Sequence, residues 1–189
     1  MTRIIAGIAR GRRIAVPATG ARPTSDRVRE AMFATLDHAL GGFTGARVLD
    51  LFAGSGALGL EAASRGAAHV VLVERDRAAA DVARANVRVV GAGGVEVIAR
   101  SVAAHLAGEP RPYDLVLADP PYAVPGEEVQ SLLARLTEGW LAPDALVMVE
   151  RATRGDGLRW PTGLVALREK RYGGTTLWYG RSAPEGEDP

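Results

Sequence analysis

From Ala46 onward, short apolar runs alternate with longer stretches whose apolar residues recur at helical spacing. The runs are ARVLDLF, HVVLVE, VEVIA, YDLVLAD and ALVMVE. Between them the pattern predicts a helix beginning near Ala57, one over about 76–90, a short one after VEVIA, and one from about Gly126 to Glu138. Uninterrupted apolar runs of this length are strands buried on both faces. Their alternation with helices marks repeated βα units around a mostly parallel sheet with helices on both sides, an α/β fold. The end of the chain changes period: GLVALREKRYGGTTLWYG reads as two alternating strands about a Gly173-Gly174 turn, so the sheet is expected to close with an antiparallel pair. Ahead of the core, RIIAGIA and RRIAVP flank an ARGR turn and predict a β-hairpin. A helix follows, capped by the hydroxyl of Thr24 or Ser25 and running to about Ala39.

Length and composition narrow this picture. The 189 residues suffice for one main core, expected over 41–182, with an N-terminal extension over 1–40 and a disordered acidic tail over 183–189. No apolar run is long enough to span a membrane, and charges interrupt MTRIIAGIARGRR where a signal peptide needs an apolar stretch. A cytoplasmic protein is expected, as a monomer and with no membrane partner. With no cysteine there is neither a disulfide nor a thiolate nucleophile, and His38, His69 and His105 share no ligand spacing, so no metal is expected. The net charge of +1 hides an asymmetry. Residues 1–30 carry seven arginines against Asp26 and Glu30, about +5, and the remainder carries about −4. That clustering, more than arginine content as such, points to nucleic acid.

Two loops carry the candidate chemistry. In VLDLFAGSGALGLEAA, Gly54, Gly56 and Gly59 form G-x-G-x-x-G between a strand and a helix, with Glu74 at the end of the next strand. Such glycines let the backbone turn sharply beside a ligand, and the later carboxylate can accept from ribose hydroxyls. Asp50, four residues before Gly54, discriminates between ligands. A dinucleotide would set its pyrophosphate near this carboxylate, which is unfavourable by several kcal/mol in a partly desolvated cleft. S-adenosylmethionine instead brings an ammonium and a sulfonium, which the carboxylate favours; a dehydrogenase reading is disfavoured on the same ground.

The second loop is LADPPY, where the strand YDLVLA ends at Asp119 because proline cannot donate to a sheet ladder. In an α/β sheet it opens onto the same crevice as Gly54 and Glu74. The exocyclic amine of a nucleobase presents N–H donors, and its lone pair is delocalised into the ring. A loop acting on it must accept and must not donate. Asp119 supplies carboxylate oxygens, Pro120 a rigidly held carbonyl, and neither Pro120 nor Pro121 has a competing N–H. Two acceptors on the amine hydrogens favour a pyramidal nitrogen with its lone pair aimed at the methyl group. Tyr122 offers a face on which an extruded base can stack.

The core resembles the Rossmann-like class I methyltransferases, whose first motif stands here as Asp50-Leu51-Phe52-Ala53-Gly54-Ser55-Gly56. The resemblance implies a seven-stranded sheet and S-adenosylmethionine as cofactor. Its methionine part would lie on the Asp50, Phe52, Gly54, Ser55 and Gly56 loop, near Asp119. Glu74 with Arg75 would hold the ribose, and Ser101 and Val102 would flank the adenine. Those enzymes often carry an acid or Asn after the third strand, where this chain has Arg100-Ser101-Val102. The Asp119-Pro120-Pro121-Tyr122 loop resembles the motif of methyltransferases acting on amines of planar systems, which makes these four the candidate catalytic residues.

RIIAGIARGRRIAVP followed by RPTSDRVREAMFATL is similar to the bacterial 16S ribosomal RNA guanine-N2 methyltransferases of the RsmD type, and the similarity continues through both loops to YGGTTLWYG. It implies methylation of the guanine at position 966 within the small ribosomal subunit or its assembly intermediate. Arg10, Arg12 and Arg13 at the hairpin turn, Arg22, Thr24, Arg27 and Arg29 at the start of the next helix, and Tyr172 at the last hairpin are the candidate RNA contacts. Two other readings fit the same loops. One is a DNA adenine-N6 or cytosine-N4 methyltransferase, although the chain has no room for the recognition domain such enzymes commonly add. The other is a cofactor-binding module without catalysis, which would not need an acceptor-only loop.

Overall fold

The computed structural model describes residues 1–17, 25–154 and 157–183. Its main sheet has seven strands in the order β5-β4-β3-β6-β7-β9-β8. These are β3 (Arg47–Leu51), β4 (His69–Glu74), β5 (Val95–Ala99), β6 (Tyr113–Ala118), β7 (Leu141–Ala152), β8 (Leu164–Tyr172) and β9 (Thr175–Ser182). The first five are parallel, and β9 pairs antiparallel with both β7 and β8. The expected closing pair is therefore present, with the later strand inside the earlier one. Composition explains the inversion. β9 buries Leu177 and Tyr179, whereas β8, LVALREKRY, is largely exposed and charged, a composition suited to an edge.

The helices divide between the two faces as the alternation of strand side chains requires. Val48, Leu72, Leu117 and Met148 face α1 (Asp26–Leu40), α2 (Ala57–Ser64) and α3 (Arg77–Val90). Leu49, Val73, Val116 and Val149 face α4 (Val102–Leu106) and α5 (Gly126–Leu136). The hydroxyl of Ser25 caps α1 by accepting from the Val28 N–H at 3.3 Å, and Gly41 ends it in the left-handed conformation. Of the acidic tail expected over 183–189, residues 184–189 lie outside the described residues.

The N-terminal hairpin is much shorter than its sequence suggested. Only β1 (Thr2–Arg3) and β2 (Arg13–Ile14) pair, and the residues between them lie against α2. The Glu61 carboxylate, fully buried, accepts from the N–H groups of Ile5 at 2.7 Å and Ala6 at 3.0 Å. Ser64 accepts through its carbonyl from Ile8 at 2.8 Å and through its hydroxyl from Ala9 at 3.0 Å, and it donates to the Ala6 carbonyl at 2.6 Å. The ARGR turn is a docked loop and not a projecting finger.

Candidate active site

The chain runs from β3 outward through β4 to β5, then returns to place β6 on the other side of β3. Ligands of open α/β sheets bind at such a reversal, beyond the carboxyl ends of the strands. The two candidate loops leave from β3 and β6, the strands that flank it. Their meeting is a property of strand order.

The first loop is held by backbone hydrogen bonds, by two acids and by the amide of Asn86. The Ala53 N–H donates to the Val73 carbonyl at 3.0 Å and the Gly56 N–H to the Ala53 carbonyl at 2.7 Å. Phe52 adopts φ 62°, a conformation costly for an aromatic residue and typical of a constrained functional turn. Glu74 accepts from the Gly54 N–H at 2.8 Å and, through its other oxygen, from the Asp76 N–H at 2.8 Å, so it fixes both the loop and the start of α3. Arg75 beside it is exposed. Asp50 lies beneath the loop, 1% exposed, and accepts from the Gly59 N–H at 2.8 Å. A Cβ at Gly59 would stand 2.3 Å from Leu72 Cδ2 and 3.2 Å from Asp50 Cβ, so any side chain there would force the packed Leu72 to shift.

Asp119, at the end of β6, and Glu150, on β7, occupy adjacent register positions one residue past the Ala118–Val149 pair, on the sheet face that also carries Asp50. Burial first, then the nearby Glu150 and Asp50 carboxylates, push the Asp119 carboxyl well above the usual range. Burial pushes Asp50 up to about 7, against the lowering effect of the Gly59 N–H. Pro120 is buried, Pro121 exposed, and Tyr122 is 59% exposed, with its hydroxyl 3.1 Å from Thr175 Oγ1. The ring is anchored at its tip and open on its face.

The adenine-side candidates Ser101 and Val102 follow β5 at the start of α4. The Ser101 hydroxyl caps α4, accepting from the Ala104 N–H at 3.2 Å, and Val102 packs into the core against the α4–α5 face. Arg10, Arg13 and Arg27 are exposed. Arg12 is also exposed, but its guanidinium donates to the Val89 carbonyl at 2.7 Å and the Val90 carbonyl at 2.9 Å, closing the C-terminus of α3. Arg29 does not lie on the RNA-facing surface expected from its sequence position. It is 1% exposed, donates to the Arg3 carbonyl and pairs with Asp26 at 3.0 Å, which ties α1 to β1. Tyr172 packs partly buried against the core, and Arg22 and Thr24 lie outside the described residues.

Sequence reasoning missed Glu61, Ser64, Asn86 and Glu150, all buried polar side chains. Two had a signal. Glu61 is the one charge in the apolar helix ALGLEAAS, and Asn86 falls in phase with Ala79, Ala83 and Val90 on the inner face of α3. Among the described residues no group of His, Cys, Asp or Glu could hold a metal ion, and no helix is long and apolar enough to cross a membrane.

The family model described as Conserved hypothetical protein 95 matches residues 2–181. The chain is similar to the ribosomal RNA small subunit methyltransferase D of Escherichia coli (strain K12), 41% identical over 173 residues that cover 90% of this chain and 85% of that protein. Among solved structures it is similar to the yhhF protein of Escherichia coli, with a TM-score of 0.84 at 35% identity over 95% of this chain and 97% of that one. An RNA methyltransferase from Salinibacter ruber, solved in complex with S-adenosyl-L-homocysteine, shares the fold with a TM-score of 0.65 at 23% identity, over 89% of this chain and 97% of that one.

Proposed function

The chain belongs to the RsmD-type family of ribosomal RNA methyltransferases, and from that premise we propose that it methylates the exocyclic N2 amine of a guanine in 16S ribosomal RNA, within the small subunit or its assembly intermediate. The observation that carries the proposal is the acceptor-only Asp119-Pro120-Pro121-Tyr122 loop opening onto the same strand reversal as the glycine loop.

S-adenosylmethionine is the cofactor, and the site fits it. A Cβ on Gly54 would meet nothing within 4 Å, so the space above the loop is open to a ligand. The buried Asp50 and the partly buried Asp119, both raised chiefly by desolvation, are the environment that a sulfonium and an ammonium relieve. Asp50 and the Gly54-Ser55-Gly56 backbone would hold the methionine end and Glu74 the ribose. The cofactor supplies an electrophilic methyl group. Asp119 and the Pro120 carbonyl receive the amine hydrogens, Asp119 is positioned to take the proton that the nitrogen sheds, and the Tyr122 ring supports the extruded base.

Label transfer from radioactive S-adenosylmethionine to small subunits lacking the mark, followed by nucleoside analysis, tests the assignment. N2-methylguanosine in the RNA fraction is the expected product. Label in protein, or in an adenine or cytosine derivative, overturns it. Calorimetry with NAD is expected to show no binding.

A pH dependence follows from the raised carboxyls. A cationic ligand binds the ionised forms, so binding at pH below about 7 must release a proton from Asp50. Affinity for S-adenosylmethionine is expected to fall as pH is lowered from 8 to 6 and to level off above the Asp50 value. Calorimetry in two buffers of different ionisation enthalpy reads the released proton directly; no release at pH 6 would remove Asp50 from cofactor binding.

The RNA-binding role proposed for the 1–40 extension rests on the exposed Arg10, Arg13 and Arg27. The double variant Arg10→Ala/Arg13→Ala is expected to weaken subunit binding and flatten its salt dependence by a slope of about 0.7 to 0.9 per lost phosphate contact, with cofactor affinity unchanged. An unaltered slope would reduce these arginines to a solvated turn. Arg12→Ala is expected to lower stability as well, since its guanidinium closes α3.

A further inference from the structure

Asn86 is the one side chain that bonds both to the N-terminal extension and to the glycine loop among the described hydrogen bonds. It sits on α3, 1% exposed. Its Oδ1 accepts from the Ala15 N–H at 2.9 Å, while its Nδ2 donates to the Ala15 carbonyl at 2.9 Å and to the Ser55 carbonyl at 2.9 Å. Both amide hydrogens and one acceptor position are thereby used. Ala15 directly follows β2, which carries the exposed Arg13; Ser55 lies between Gly54 and Gly56.

The same helix joins the two regions at its ends. Arg12 closes its C-terminus, and the N-cap residue Asp76 donates its backbone N–H to Glu74. The 14 residues of α3 form a rod about 20 Å long, gripped by the extension at two points and attached to the cofactor loop and to its acid at two others. A buried amide needed only to satisfy itself could bond within one element. This one spends its donors on two segments 40 residues apart in sequence, so a displacement of the Ala15 backbone must either move the Ser55 carbonyl or break a buried hydrogen bond.

We propose that Asn86 is a positioning residue that makes the N-terminal extension and the glycine loop one mechanical unit, so that RNA engaged by the extension and cofactor held by the loop strengthen each other's binding. The inference rests on the cofactor and substrate reading above. Binding linkage is reciprocal, so either ligand can report it.

The test measures affinity of the full-length protein for small subunits lacking the mark, with and without saturating S-adenosylhomocysteine. In the wild type the cofactor product is expected to tighten subunit binding by about fivefold or more. Asn86→Asp keeps the acceptor for the Ala15 N–H, and with it one bond to the extension, but loses the donor to the Ala15 carbonyl and its only bond to Ser55. It is expected to hold subunit affinity without cofactor near the wild-type level, weaken cofactor binding about tenfold, and reduce the mutual effect below twofold. A merely structural role would lower both affinities together and leave their ratio unchanged, and that result overturns the proposal. If the variant does not fold, hydrogen exchange on the wild type decides: added S-adenosylhomocysteine slows exchange at the Ala15 N–H if the joint exists, and unchanged exchange overturns it. A wild type that binds no S-adenosylhomocysteine defeats the cofactor reading itself; one that binds both ligands with no mutual effect defeats this inference alone.

Discussion

Replacing Asp119 with alanine is expected to lower the rate of methyl transfer by about a thousandfold or more while leaving cofactor affinity within about tenfold of wild type. The expectation comes from the position of the carboxylate, beyond β6 at the strand reversal and on a loop whose next two residues cannot donate. In the proposed mechanism its loss removes the acceptor that orients the amine and takes its proton. The same substitution is not expected to destabilise the protein. A carboxyl whose folded pKa is raised above its unfolded value opposes folding once pH exceeds the unfolded value, and Asp119 is raised by burial and by Glu150 and Asp50. At pH 7 the alanine variant should therefore melt no lower than wild type, which separates lost chemistry from lost structure. Single-turnover kinetics with bound cofactor and a thermal melt check both halves; full activity would sink the mechanism. Tyr122 divides in the same way. Tyr122→Phe loses only an exposed contact to Thr175 and should be nearly silent, whereas Tyr122→Ala loses the stacking face, worth about 1 to 3 kcal/mol.

Gly7→Ala is expected to cost about 3 kcal/mol of stability and to release the hairpin from α2. Gly7 has φ +80°, and a Cβ there would stand 1.8 Å from the Ser64 carbonyl oxygen and 2.2 Å from its carbon. Those are backbone atoms of a packed helix and cannot swing aside. The loop must lift, breaking the bonds from Ile8 and Ala9 to Ser64 and loosening the amides that satisfy the buried Glu61. Glu61 keeps its 2.8 Å pair with Arg65, but a buried acid that loses two of its donors is costly to the core. Chemical denaturation checks the stability loss, and proteolysis should then cleave near the loop. Wild-type stability together with an intact N-terminus would show that the docking is not what holds this segment. RNA binding should fall with the loop, because Arg10 and Arg13 would no longer be presented from a fixed surface.

Much of this molecule is written locally in its sequence. Strand runs such as HVVLVE and YDLVLA, helix starts at Ser25 and Ala57, and the turn at Gly173-Gly174 depend on side-chain period and backbone freedom over a few residues, and they lie where those rules place them. The two loops were legible for the same reason: glycines at fixed spacing and consecutive prolines restrict the chain whatever surrounds them. That Gly54 and Asp119 would face one crevice also followed, because parallel βα units put the loops after their strands on the same edge.

What tertiary structure alone decided is which buried polar groups meet. Arg29 reads as a surface arginine on an amphipathic helix, yet it is drawn inward because the Arg3 carbonyl and Asp26 lie where α1 crosses β1. The arginine-rich turn reads as a free finger, yet Glu61 and Ser64 of a helix more than 50 residues later hold its backbone down. Asn86 reads as one more helical residue, yet its amide bridges Ala15 and Ser55. β9 lies inside β8 because the more apolar strand gains more from two neighbours than the charged one does. Hydrophobic period and turn chemistry act over a few residues and are visible one segment at a time. The partner of a buried donor or acceptor is set only when two distant segments pack, since the cost of leaving either group unpaired is felt only after both have left water.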